Sequence, residues 1–76
     1  MEERIKRIMS AVLRIDAAAI GPDTRAENTA SWDSLGQMNL AVALEGEFDI
    51  EIPVDDIIAL KSYPVVVECM QRLVGK

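Results

Sequence analysis

The sequence predicts an all-α fold with four helices, a short third helix and a long loop after the first helix. Apolar residues recur at helical spacing in three segments, whereas residues 15–33 contain the strong helix breaker Gly21-Pro22-Asp23. The chain has 76 residues, of which 50% are hydrophobic and only 4% aromatic. This composition predicts a single domain, residues 1–76, with a small aliphatic core.

The first helix is predicted over residues 2–14. Glu2 near its start and Arg14 at its end suit the helix dipole, which favours acids at the first turn and bases at the last. Its apolar residues lie at i, i+3, i+4, i+7 and i+8, and they are Ile5, Ile8, Met9, Val12 and Leu13. This spacing predicts an amphipathic helix with a structural role.

The long connection, residues 15–33, is unusual for a compact domain unless it has a task. We expect it to cross the helices and deliver the start of the second helix at the far end. Trp32, the only tryptophan, has two possible roles. It is either an anchor buried against the core or a contact surface beside the second helix.

The second helix is predicted over residues 34–48, with Asp33 as its N-cap. Two rows follow the helical period: one contains Leu35, Met38, Ala41, Val42 and Glu45, and a second, apolar row contains Leu40, Leu44 and Phe48. Because the apolar stripe is wide, we expect this helix to touch the core on more than one side.

The third helix is predicted over residues 54–60 and the fourth over residues 62–74. Ser62 is a suitable N-cap for the fourth helix, Pro64 is tolerated in its first turn, and Gly75 ends it. Cys69 lies beside the apolar stripe, and we interpret it as a packing residue. A single cysteine also excludes an internal disulfide, which favours a cytoplasmic protein.

The net charge of −5 is unevenly distributed, since residues 26–60 hold eight Asp or Glu and neither Lys nor Arg. This segment is either a solvated acidic face or a docking face for basic partners. Nucleic acid is an unfavourable partner, because its recognition requires a basic patch. No apolar run is long enough to span a membrane, so no membrane association is expected.

The sequence does not predict an enzyme. The chain has no histidine, no glycine-rich phosphate loop and no metal-binding spacing of cysteines, so a metal site is not predicted. Ser34 instead follows an N-cap at a helix start, where free N–H groups and the dipole favour a phosphate. We therefore expect Ser34 to carry a phosphate ester. The alternative is that Ser34 is a simple cap or a phosphorylation site in an unmodified acidic interaction module.

Three motifs carry a resemblance to a known family: Asp33-Ser34-Leu35, the run Leu40-Ala41-Val42-Ala43-Leu44-Glu45-Gly46-Glu47-Phe48-Asp49, and Glu51-Ile52-Pro53. At this spacing and total length, the chain resembles the acyl carrier proteins over nearly its whole length, least at residues 15–31. The resemblance implies a four-helix bundle of acyl-carrier type. It also implies that a phosphopantetheinyl transferase moves 4′-phosphopantetheine from coenzyme A onto Ser34, with Asp33 orienting or neutralising the site.

The same resemblance implies that the arm's thiol carries an acyl or aminoacyl group as a thioester, in fatty acid, polyketide or aminoacyl metabolism. It implies partners with basic patches, namely loading ligases or synthases, and a monomeric carrier. The acids that match the docking surface are Glu45, Glu47, Asp49, Asp55 and Asp56. The residues that match an acyl pocket are Met38, Leu44, Ile52, Ile57 and Leu60, for which the alternative is an ordinary core position.

Several positions depart from the family pattern. Ser31 stands where a glycine is familiar, and Trp32 replaces a small residue. Gly36, Asn39 and Gly46 stand at positions of the docking helix that are often acidic. These departures favour a dedicated carrier with its own partners, loaded with an amino acid, a polyketide unit or an unusual acyl group.

Overall fold

The computed structural model describes residues 1–75. Within that range the fold is all-α, with four α-helices and no β-strand, which confirms the predicted fold class. The helices are α1 (Glu2–Leu13), α2 (Ser34–Phe48), α3 (Val54–Ala59) and α4 (Tyr63–Val74). Their bounds differ from the predicted ones by at most one residue at each end. Across residues 1–75, no helix combines the length and the apolar character that crossing a membrane requires.

The four helices enclose one aliphatic core. Its fully buried side chains come from all three long helices and from the end of α3: Ile5, Met9, Leu13, Leu40, Leu44, Leu60, Val66 and Met70. Trp32 is only 3% exposed and joins this core, so the anchor interpretation is confirmed and the contact-surface interpretation is wrong. Burial of the indole is expected, because it is the largest apolar surface the loop can remove from water.

The apolar side chains of α2 differ in their exposure to solvent. Leu40 and Leu44 are fully buried, whereas Leu35, Met38 and Val42 are 70%, 51% and 60% exposed. Ala41, which belongs to the same row as Leu35 and Met38, is also fully buried, so α2 touches the core with members of both rows, as expected. The helix packs on α1 and α3, and Leu35, Met38 and Val42 form its outward row.

The long connection contains two short 3₁₀ turns, Ala17–Ala19 and Ala26–Asn28, which the periodicity of the sequence does not predict. It then pairs with the junction between α3 and α4. Ala26 N donates to Lys61 O at 2.8 Å and Tyr63 N donates to Thr24 O at 2.9 Å, around an antiparallel bridge of Arg25 with Ser62. These bonds fix the α3–α4 junction relative to the start of α2.

Candidate functional site

Ser34 is the first residue of α2 and is exposed. Asp33 precedes it in an extended conformation and caps the helix, because its Oδ1 accepts a hydrogen bond from Gly36 N at 2.8 Å. The Asp33 carbonyl accepts the first helical bond, from Gln37 N at 2.8 Å. The hydroxyl of Ser34 thus lies at the positive end of a helix of 15 residues, where a negatively charged substituent is stabilised.

Gly36 holds the preceding loop against this helix start. A Cβ atom at this position would lie 2.3 Å from the Ser31 carbonyl oxygen and 3.3 Å from Leu13 Cδ2. Only glycine permits such a close approach of the backbone to the first turn. This role of Gly36 was not predicted, because Gly36 was interpreted only as a position of the docking helix that lacks an acid. A glycine three residues after a capping aspartate was the available signal.

An open groove of about 270 Å³ begins at Ser34 and runs between α2 and the end of α3. Its other lining residues are Gln37, Met38, Ile57, Ile58 and Lys61. Three of these, Gln37, Ile58 and Lys61, were not predicted as site residues. Gln37 lies three residues after Ser34 and therefore on the same face of α2, a spacing that could have identified it.

Gln37 attaches α3 to α2. Its Nε2 donates to the carbonyl oxygens of Ile57 and Ile58, at 2.7 and 2.9 Å. The last four carbonyl groups of a helix have no hydrogen-bond donor within the helix. Because α3 has only six residues, the Gln37 side chain supplies a large part of the donors that its C-terminal carbonyls require. The wall of the groove opposite Ser34 is thereby held in place.

The five residues predicted to form an acyl pocket do not lie together in one cavity. Met38 and Ile57 line the groove beside Ser34. Leu44 and Leu60 are fully buried and Ile52 is nearly so, and all three belong to the central core.

The five predicted docking acids also divide into two groups. Glu45 Oε2 accepts a hydrogen bond from Ile52 N at 2.8 Å, which closes the turn between α2 and α3. Glu47 Oε2 pairs with Arg4 at 2.8 Å, and Asp56 Oδ1 pairs with Arg72 at 2.6 Å. Asp49 and Asp55 are exposed.

Bases from the two ends of the chain therefore partly neutralise the acidic segment, residues 26–60. Arg4 comes from α1 and Arg72 from α4, outside that segment. Arg4 also lies over the ring of Phe48, 4.4 Å from its centroid, which adds a cation–π contact. Counting charges along the sequence could not detect this neutralisation, because the pairs join residues that are distant in sequence.

Two titratable side chains are packed away from Ser34. Tyr63 donates its hydroxyl to Glu2 Oε1 at 2.8 Å, and burial together with this acid raises the pKa of Tyr63 to about 12. Burial, and then the charge of Asp56, raises the pKa of the Cys69 thiol. A buried thiol with a raised pKa is a poor nucleophile, in agreement with its interpretation as a packing residue. Across residues 1–75, no group of three or more His, Cys, Asp and Glu side chains could hold a metal ion.

A family model described as a phosphopantetheine attachment site matches residues 3–70. The chain belongs to this family. It is a member of the acyl carrier protein family, as the resemblance implied, and this family carries covalently attached 4′-phosphopantetheine. Carriers of this family are substrates of phosphopantetheinyl transferase, and they work with loading and synthase enzymes without catalysing a reaction themselves.

Proposed function

We propose that Ser34 is the attachment point of the phosphopantetheine arm and that the protein presents an acyl or aminoacyl group on the arm's thiol. The observation that carries the proposal is the position of Ser34. It is an exposed hydroxyl at the first residue of a capped helix, within the matched residues 3–70. An alcohol there is open to an incoming phosphorus atom, and the resulting phosphodiester faces the N-terminal end of α2.

The modification is a transfer of one phosphopantetheinyl group from coenzyme A to Ser34. Ser34 Oγ forms a bond to the phosphorus that bears pantetheine, and the phosphoanhydride bond of coenzyme A breaks. Adenosine 3′,5′-bisphosphate leaves with the electron pair, and the hydroxyl proton passes to a base of the transferase. The base belongs to the transferase because this chain has no histidine, and the Asp33 carboxylate is engaged in capping α2. Asp33 acts by capping the helix start, and the exposed Leu35 side chain belongs to the surface beside Ser34.

Partner enzymes dock on the outward row of α2 and the adjoining surface of α3. Its apolar members are Leu35, Met38, Val42, Val54 and Ile58, each more than half exposed. Exposed apolar side chains in neighbouring positions mark interaction surfaces more reliably than exposed acids do. Asp49 and Asp55 supply the negative charge for a basic partner, since Glu45, Glu47 and Asp56 have partners within the chain.

The cargo is a small group that stays outside the bundle. Leu44 and Leu60 are fully buried core side chains, and the groove beside Ser34 has a volume of only about 270 Å³. An amino acid, a short polyketide unit or a short unusual acyl group fits this description better than a long fatty acyl chain. We propose a cytoplasmic monomer, on the basis of its single buried cysteine and its fully packed core.

Incubation with coenzyme A, Mg²⁺ and a promiscuous phosphopantetheinyl transferase tests the proposal. The intact mass of the protein should increase by one phosphopantetheinyl group. A Ser34→Ala variant should show no increase, whereas a Ser31→Ala variant, altered at an exposed serine three residues away, should be modified like the parent. An unchanged mass of the parent would favour the unmodified interaction module, and a modified Ser34→Ala variant would place the arm elsewhere.

A further inference from the structure

The groove beside Ser34 contains one charged side chain. Of its polar lining residues, Ser34 supplies the oxygen that is esterified, and the Gln37 amide nitrogen is engaged by the carbonyls of Ile57 and Ile58. The remaining polar lining residue is Lys61, which is exposed. Lys61 is therefore the one cationic residue in the lining of the groove, to which a negatively charged group on Ser34 would be added.

Lys61 is free to take this role. Within residues 1–75, the ion pairs join Arg4 to Glu47, Arg25 to Glu27 and Arg72 to Asp56, and none uses Lys61. It is also the first basic residue after the acidic segment, residues 26–60. Arg4, Arg25 and Arg72 are thus paired with acids, while Lys61 lines the groove.

The backbone of Lys61 is held on both sides. Its N–H donates to Ala59 O at 2.8 Å, and its carbonyl accepts from Ala26 N at 2.8 Å. Trp32 Nε1 donates to the carbonyl of the preceding residue, Leu60, at 3.1 Å. Because these bonds tie Lys61 to the connection that leads into α2, the root of its side chain keeps a fixed position relative to Ser34.

We propose that Lys61 is a positioning residue that pairs with the phosphodiester on Ser34 and so directs the arm along the groove between α2 and α3. The proposal rests on attachment of the arm at Ser34. Met38, Ile57 and Ile58 provide the apolar surface along which the first part of the arm lies. The thiol end, with its cargo, then emerges beside the outward row of α2, where partner enzymes are proposed to dock.

The strength of such a pair sets the size of the effect. An ion pair at an exposed site changes the ratio of docked to free arm by up to about fivefold. Salt screens this attraction, so docking should weaken as ionic strength rises. An arm held only by apolar contacts would not show this dependence, which makes salt a test of the Lys61 contact itself.

The test uses ¹⁵N-labelled protein, with and without the arm, at low and high salt. At low salt, addition of the arm should shift the amide resonances of Gln37, Ile57 and Ile58, and high salt should reduce these shifts. In Lys61→Gln, addition of the arm should shift these amide resonances only slightly, and the shifts should not change with salt. Lys61→Arg, which keeps the positive charge, should show large shifts at low salt and smaller shifts at high salt, as the parent does. Arg7→Gln, which removes one exposed positive charge from α1, is the matched control and should behave like the parent.

Each outcome decides the question. Intact mass first establishes whether Ser34 is modified, and an unmodified protein would overturn the attachment proposal and this inference together. If the arm is attached but Lys61→Gln gives the same salt-dependent shifts as the parent, the Lys61 contact is refuted and the attachment stands. The same conclusion follows if the parent shows no shifts at Ile57 and Ile58. Thermal unfolding of Lys61→Gln should match that of the parent, because the hydrogen bonds at this residue come from its backbone.

Discussion

Trp32 Nε1 donates a hydrogen bond of 3.1 Å to the carbonyl oxygen of Leu60 in the interior of the protein. This bond joins the last part of the long connection to the end of α3, and both side chains belong to the core. The Leu60 carbonyl follows the last turn of α3 and lies in the interior, where an acceptor without a partner would be costly, and the indole N–H supplies that partner. The indole thus acts both as an apolar anchor and as the partner of a buried acceptor.

Replacement of Trp32 by phenylalanine separates these two contributions. Trp32→Phe keeps an aromatic ring in the core but leaves the Leu60 carbonyl without its donor, so the free energy of unfolding should fall by about 1–3 kcal/mol. Urea unfolding followed by circular dichroism measures the change. Trp32→Ala should lose about 3–5 kcal/mol, because the packing is lost as well. Equal stability of Trp32→Phe and the parent would show that the hydrogen bond contributes nothing.

Two glycines of α2 should respond to alanine in opposite directions. At Gly36 the new Cβ would lie 2.3 Å from the Ser31 carbonyl oxygen, a backbone atom that must move. Gly36→Ala should therefore lower the free energy of unfolding by about 1–3 kcal/mol. At Gly46 no heavy atom lies within 4 Å of the added Cβ, so Gly46→Ala should raise it by about 0.5–1 kcal/mol.

The same thermal or urea melts test both substitutions, and modification of Ser34 provides a second measurement. Because Ser31 and Gly36 position the start of α2, Gly36→Ala should also slow the transferase, whereas Gly46→Ala should not. A Gly36→Ala variant as stable as the parent would contradict the close packing of the loop on the first turn.

Asp49 and Asp55, which take part in none of the ion pairs within residues 1–75, should respond differently from the paired docking acids. Asp55→Lys reverses a charge on the surface of α3, and it should slow modification by a basic transferase at low salt, where exposed charges act most strongly. Its cost in stability should not exceed about 1 kcal/mol, the usual size of a charge effect in a first helical turn. Stopped-flow or mass-based rates at two ionic strengths measure the difference, and equal rates at low salt would exclude Asp55 from docking.

Glu45 is the matched comparison for that experiment. Its carboxylate accepts the Ile52 amide, so Glu45→Lys leaves a backbone donor unpaired and should cost about 1–3 kcal/mol of unfolding free energy. A slow rate for Glu45→Lys would therefore reflect a disturbed turn between α2 and α3. Glu45→Gln, which keeps an acceptor oxygen, should recover most of the lost stability; if it does not, the charge itself stabilises the fold.

The hydrogen bond of Tyr63 to Glu2 predicts a loss of stability at high pH. Folding raises the pKa of Tyr63 from 10.0 to about 12, so between these values the folded protein keeps a proton that the unfolded chain loses. The unfolded state then binds fewer protons, and the free energy of unfolding falls as the pH rises through this window. Below pH 10, the contribution of Tyr63 to the free energy of unfolding does not change with pH. Tyr63→Phe should lack this part of the pH dependence in urea unfolding, and an identical pH profile would refute the shift.

Cys69 should be unreactive while the fold is intact. Its thiol is buried and its pKa is raised, so little thiolate is available to an alkylating reagent. Near neutral pH, iodoacetamide should add one group to the protein that carries the arm, and two groups after denaturation. The protein without the arm should accept none when folded and one when unfolded. Rapid labelling of Cys69 in the folded protein would show that α4 opens readily.

Much of the fold follows from the sequence because its signals are local. The heptad-like spacing of Ile5, Met9 and Val12 specifies α1 without knowledge of its neighbours, and the caps Asp33 and Ser62 mark the starts of α2 and α4. Each cap accepts the expected backbone N–H, from Gly36 and Val65 respectively. Local chemistry of this kind requires no tertiary information, so the helix bounds could be predicted to within one residue.

The remainder depends on contacts between distant residues. The sequence of α2 is apolar on nearly all sides, so its pattern cannot indicate that Leu40 faces the core while Leu35 faces outward. Likewise, the pairing of Glu47 with Arg4 joins residues 43 positions apart. Gln37 and Lys61 belong to the groove only because α3 folds back toward the start of α2. Periodicity and charge counts contain none of this information.

The buried indole of Trp32 gives the protein a built-in optical probe. It is the only tryptophan in the chain, and its ring nitrogen is bonded to the last turn of the helix that forms one wall of the groove. The fluorescence of Trp32 therefore depends on whether α3 is packed against the indole ring. Displacement of α3, for example by a bound enzyme or a bulky thioester, would expose the indole ring to water and shift its fluorescence emission to longer wavelength. Such a change in conformation can therefore be measured in this carrier without an added dye.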